Sequence, residues 1–114
     1  MKDLNLLVLR CRDLEASRKF YECVRMTFAK HAHGSGPEHY ACEESSGVIE
    51  LYPAGPDQSV DATGLGFATK EIQKLSSDFE SRGFKPQPIQ DRPWGRTFVV
   101  RDPDGRRVEI KEEL

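Results

Sequence analysis

Two kinds of side chain in this sequence have the chemistry to work on a ligand. Three histidines crowd into one stretch, AKHAHGSGPEHYA (29–41), and two glutamates, Glu50 and Glu109, sit inside alternating apolar runs, VIEL and RVEI. Imidazole and carboxylate side chains move protons near neutral pH and bind divalent cations. His31 and His33 are two residues apart, so on a strand they share a face and could grip one ion together, although histidines at strand ends are more often simply solvated. His39 falls on the next strand, beside that of Glu50. That makes it a candidate ligand or general base, set against the plainer reading of a polar residue at a hairpin edge. Arg10 adds a planar, permanently charged fork that suits a carboxylate or phosphate.

What these groups face depends on the elements that carry them. Asn5 to Arg10 reads as a strand with Leu6, Val8 and Arg10 on one face and the more apolar Leu7, Leu9 and Cys11 on the other. Asp13 can cap a following helix, whose buried stripe is Ala16, Phe20 and Cys23. Strands are then expected over Thr27–Ala32, His39–Glu43 and Val48–Tyr52, separated by HGSGPE and ESSG turns. After the link PAGPDQSVDATG the order restarts. LGFA is a strand, Thr69 or Lys70 opens a helix carrying Ile72, Leu75 and Phe79, and Gly83 closes it. Pro86–Gln90, Arg96–Arg101 and Arg106–Lys111 supply three more strands, the last two joined by the turn DPDG. A shift of 58 residues aligns Leu14 with Ile72, Tyr21 with Phe79 and Met26 with Phe84. The chain is therefore an internal repeat, two βαβββ modules over about 1–55 and 62–114 within one 1–114 domain.

Composition narrows the function classes. Seventeen basic against 19 acidic residues give a net charge of −2, with no basic run longer than two residues, so a nucleic-acid partner is not expected. No apolar stretch approaches a membrane span, and the charged N-terminal segment does not read as a signal peptide; the expectation is a cytoplasmic protein. Cys11, Cys23 and Cys42 are odd in number and widely spaced, which fits reduced, packed thiols better than a disulfide framework.

DLEASRKFYE after the first strand, GVIELYPAG ending the first module, and PWGRTFVVRDPDG with VEI in the second together resemble the vicinal oxygen chelate superfamily of glyoxalases, bleomycin-resistance proteins and extradiol dioxygenases. The resemblance covers essentially the whole chain. One departure is Val24-Arg25 where Leu-Gly is usual; an arginine there implies another helix exit or a left-handed φ costing about 1 kcal/mol. The resemblance implies an α+β fold in which two βαβββ modules form curved mixed sheets around a cavity, with helices outside. Leu7, Leu9, Ile49, Leu51, Val108 and Ile110 would then face helices, and Leu6, Arg10, Glu50, Tyr52 and Glu109 the cavity.

In metal-dependent relatives four ligands hold one divalent ion, such as Ni, Zn, Mn or Fe. The corresponding positions here are Leu6, Glu50, Gly64 and Glu109, so both carboxylates are present and both first-strand donors are missing. Glu50 and Glu109 remain candidate metal ligands and a candidate catalytic acid/base pair, against the alternative of hydrated or arginine-paired surface carboxylates. Arg10, Tyr52, His39 and Trp94 are the candidate ligand-binding residues. Trp94 could roof a pocket by stacking, or plug the core beside Phe98 or Tyr52. The reading that follows is a small-molecule binder of the bleomycin-resistance kind, acting as a homodimer without the standard metal site. The alternative is a divergent metal-dependent lyase, isomerase or dioxygenase using Glu50 and Glu109.

Overall fold

The computed structural model describes residues 3–44 and 47–114, so the two serines of the expected ESSG turn lie outside the described residues. The chain divides into two compact units, residues 1–61 and 62–114. Each holds one helix and a four-stranded mixed sheet, an α+β architecture.

In the first unit the order is β1 (Leu6–Cys11), α1 (Leu14–Glu22), β2 (Ala29–His31), β3 (His39–Glu44) and β4 (Gly47–Pro53). The strands lie side by side as β1-β4-β3-β2, with β1 parallel to β4 and the other pairs antiparallel. A parallel partner needs a crossover, and α1 starts it, capped by an Asp13 Oδ1 that accepts the Ala16 amide at 3.1 Å. Leu9, Cys11, Phe20, Tyr21, Cys23, Cys42 and Leu51 form the core. The opposite sheet face leaves Leu6 47% exposed and Val8 36% exposed. Strand parity assigned both faces as expected. The three cysteines are buried as thiols.

The second unit repeats the plan with β5 (Leu65–Thr69), α2 (Ile72–Ser81), β6 (Gln90–Arg92), β7 (Gly95–Arg101) and β8 (Arg107–Glu112), ordered β5-β8-β7-β6. Ile72, Leu75 and Phe79 of α2 pack on Phe98, Val100, Val108 and Ile110, and the Phe79 ring meets Phe98 edge-on at 6.1 Å. Phe79 and its repeat partner Tyr21 are both fully buried.

Three boundaries differ from the sequence reading. No strand forms over Pro86–Gln90; pairing starts at Gln90, because Pro86 and Pro88 have no amide hydrogen to give a ladder, and Gln87 alone donates, to the Val99 carbonyl at 2.8 Å. The strand expected over Thr27–Ala32 shrinks to Ala29–His31. Helix α2 is capped at Glu71 rather than Thr69 or Lys70, with Thr69 Oγ1 accepting the Glu71 amide at 3.0 Å. The helix exits agree with the repeat: Gly83 has φ +88° and Arg25 φ +69°, so the arginine keeps the glycine's left-handed turn.

The DPDG turn is held by a buried ionic clamp. Asp102 Oδ1 accepts the amides of Asp104 and Arg106, both at 2.9 Å, while Oδ2 accepts the Arg106 guanidinium at 3.1 Å. Asp104 Oδ2 lies 3.6 Å from the same guanidinium, and Gly105 supplies φ +89°. Both charges of the Asp102–Arg106 pair are fully buried. Two ions taken out of water are tolerable only because every exchange between them is short and aligned. The clamp sets the entry into β8, and so the position of Glu109.

Candidate functional site

Strand register lines up one side chain from each strand of the first sheet. Arg10 is opposite Tyr52 on the parallel pair, and His31 is opposite His39 on the β2–β3 pair. The β3–β4 register, continued one step beyond Tyr40 and Leu51, brings His39 to Tyr52. The result is a row Arg10, Tyr52, His39, His31 running across the strands. Its rings stack. The Arg10 guanidinium lies 4.9 Å from the Tyr52 ring centre, within cation–π range. Tyr52 and His39 are 4.1 Å apart and 9° from parallel, and His31 follows at 5.8 Å. His33 joins from the side, 5.7 Å from His31 and 5.2 Å from His39.

His39 is 2% exposed, on an inner strand and not at a hairpin edge. Its Nδ1 lies 3.3 Å from the Pro37 carbonyl and its Nε2 3.3 Å from the Tyr52 hydroxyl. With the ring proton assigned to Nδ1, His39 donates to Pro37 and accepts from Tyr52. Glu50, on the same face as Tyr52, places Oε2 3.7 Å from that Nε2. The first unit thus gathers four of the expected site residues, Arg10, His39, Glu50 and Tyr52. It adds His31 and His33, which sequence spacing alone did not connect to them.

In the second unit Trp94 is 53% exposed, so it does not plug the core. Its Nε1 donates to Glu109 Oε2 at 3.4 Å, and Arg107 approaches the same oxygen at 3.8 Å. Beside Trp94 runs a groove of about 420 Å³ whose lining includes Ala68, Gly95, Arg96 and Lys111. Glycine is favoured at 95 by its φ of +136°, which residues with a Cβ rarely adopt; the Lys111 side chain lies over it, 2.9 Å from where a Cβ would stand. Alternation within β8 already puts Lys111 on the face of Glu109, but sequence reasoning did not count it among the site residues; it pairs opposite Ala68 and Thr97.

The metal that the resemblance implies does not fit its four positions. Leu6 and Gly64 offer no side-chain lone pair, and two carboxylates alone make a poor set for a borderline ion. Among the described residues no three His, Cys, Asp or Glu stand, as placed, around a common metal position. Also among the described residues, no helix is long and apolar enough to cross a membrane.

The sequence profile of the Glyoxalase/Bleomycin resistance protein/Dioxygenase superfamily matches residues 3–110, and the chain belongs to that family. No curated protein matches it. Among solved structures it is similar to TnmS3, an antibiotic binding protein from Streptomyces sp. CB03234, at 19% identity over 100% of this chain and 98% of that one, with a TM-score of 0.80. It is similar to the oxidase ChaP-H1 at 18% identity over 100% and 98% of the two chains, TM-score 0.77. A lactoylglutathione lyase from Agrobacterium tumefaciens is similar at 17% identity over 96% and 92%, TM-score 0.69. At such identities the likeness is one of fold; a binder, an oxidase and a lyase all use it.

Proposed function

We propose that this protein binds a bulky aromatic small molecule, as a homodimer, and sequesters it without using the family's metal. The observation that carries this reading is the stacked row Arg10, Tyr52, His39 with Glu50 beside it. Since Tyr52 is already stacked between Arg10 and the buried His39, a planar ligand would meet the row at its edges and at its Arg10 end, with aromatic and cation–π contacts worth about 0.5–1.5 kcal/mol each, while Arg10 and Glu50 offer charge of either sign to its substituents. The loss of both first-strand donors, Leu6 and Gly64, favours binding over metal-assisted chemistry. An antibiotic binding protein on the same fold is in keeping with it. The second reading, a divergent metal-dependent lyase, isomerase or dioxygenase, draws support from Glu50 and Glu109 alone. They occupy equivalent register positions, opposite Val8 and Gly66.

The test is calorimetric titration with a panel of aromatic cations and aromatic carboxylates, using Arg10→Ala and Tyr52→Ala as controls. A hit is expected to lose about 10-fold or more in affinity with either substitution. A hit that binds both variants as tightly as the parent overturns the site. Light scattering behind a sizing column, expected to give twice the chain mass, checks the dimer.

A further inference from the structure

We infer that the groove beside Trp94 takes an alkyl carboxylate of medium chain length, at a site that lies wholly within the second unit and shares no residue with the stacked row of the first. Its wall is largely hydrocarbon: Ala68, Gly95, Leu114 and the indole of Trp94 border a space of about 420 Å³. On this face β5 carries only Gly66 and Ala68, and no atom lies within 4 Å of where a Cβ on Gly66 would stand, so nothing bulky fills the trough. Lys111 supplies the rest of the wall. Its Cγ, Cδ and Cε all lie within 3.7 Å of where a Cβ on Gly95 would stand. The stem is therefore laid flat across the start of β7, and the ammonium is left at the groove's rim.

That ammonium selects the ligand's charge. Among the described residues no carboxylate comes within ion-pair distance of it, although Glu109, Glu112 and Glu113 are close in sequence. Glu109 is engaged by Trp94 at 3.4 Å and Arg107 at 3.8 Å. Glu112 points to the other face of β8 and is drawn to Arg96 at 4.0 Å, and Glu113 is exposed. A cation held at the rim of an apolar trough is complementary to one negative charge on a hydrocarbon body, whereas an alkyl ammonium would meet Lys111 as a like charge. The hydrocarbon is a chain because the lining offers one ring, the half-exposed Trp94, and otherwise saturated carbon. Burial of apolar area, which has no preferred direction, then outweighs ring stacking.

Trp94 is the single tryptophan, so its emission reads the groove directly. The protein is titrated with hexanoate, octanoate and decanoate below their micelle concentrations, with octylammonium and octanol as charge controls. The carboxylates are expected to shift the emission saturably to shorter wavelength as the chain dries the indole, with affinity rising about 2- to 4-fold per added CH₂ until the groove is full. Added salt should weaken octanoate. Lys111→Gln is expected to bind it about 3- to 5-fold more weakly, and Ala68→Leu, which fills the trough and keeps the charge, to lose the shift. Thermal melts check that each variant is folded. The inference is overturned if octanoate gives no saturable shift, if octylammonium or octanol binds as tightly, or if either variant binds like the parent.

Discussion

The two halves share one plan and differ most plainly in one row. In the first unit the row across the sheet reads Arg10, Tyr52, His39, His31; in the second the same register positions hold Ala68, Lys111, Thr97 and Gln90. Two residues back along the strands the halves agree in their acid, Glu50 answering to Glu109, with Gly66 where the first unit has Val8. The helix faces agree too, with Tyr21 and Phe79 buried at matched positions. Duplication has therefore kept what packs a sheet on its helix and kept one acid per half. It has let the neighbouring row diverge into a stacked ladder of one arginine and three aromatic rings on one side and a lysine-bearing groove on the other. The difference puts the stacked row in the first unit and a buried ionic clamp, Asp102 with Arg106, in the second.

Breaking the clamp should have the largest effect. Asp102→Ala removes the nearer carboxylate from a fully buried guanidinium, leaving Asp104 at 3.6 Å, and is expected to cost up to about 3–5 kcal/mol in urea unfolding. Exchanging the rows comes next: Tyr52→Lys puts the second unit's residue into the first, removes the ring on which Arg10 and His39 both stack, and should weaken an aromatic ligand by about 10–100-fold, or about 1.4–2.8 kcal/mol. Arg25→Gly makes the two helix exits alike. It relieves the left-handed φ of +69° and should raise stability by about 0.5–1 kcal/mol, seen as a higher urea midpoint.

The smallest contrast is the Tyr40–Glu15 hydrogen bond of the first unit. Tyr40 and then Arg18 donate to Glu15 and hold its carboxyl below the usual carboxylate range, while the same bond to Glu15 raises the Tyr40 phenol. A lowered carboxyl adds stability above its unfolded pKa of 4.5 that is lost as pH falls through the folded value. A raised phenol adds stability below 10.0 that is lost as pH rises through the folded value. Tyr40→Phe should accordingly flatten the stability profile on both the acid and the alkaline side; unchanged limbs would separate the bond from stability.

Much of this was legible before any coordinates. Period-two alternation assigned the faces of β1, β4 and β8, because one wrong parity would expose Leu9, Leu51 or Ile110. The repeat predicted matched helices and singled out Arg25 as either a changed exit or a left-handed residue, of which the second holds. What remained hidden was pairwise. His31 meets His39 only through the β2–β3 register, which no spacing within one strand encodes, and a short strand bounded by a long polar loop gives no pattern from which to read it. Arg106 was hidden for another reason: adjacent to Arg107 it looks like a solvated pair of charges, yet parity sends it inward to the turn's own aspartates. Pro86 and Pro88 misled in the opposite sense, since alternation around them imitates a strand that their missing amides forbid.

The placement of the rarer residues has a practical consequence. All three sulfhydryls lie sealed within the first unit, and the sole indole stands at the surface of the second. Each half of the duplicated chain therefore carries its own built-in reporter, thiol alkylation for one and indole emission for the other. Whether the twins melt as a single cooperative body or one ahead of the other can be followed without adding a label to either.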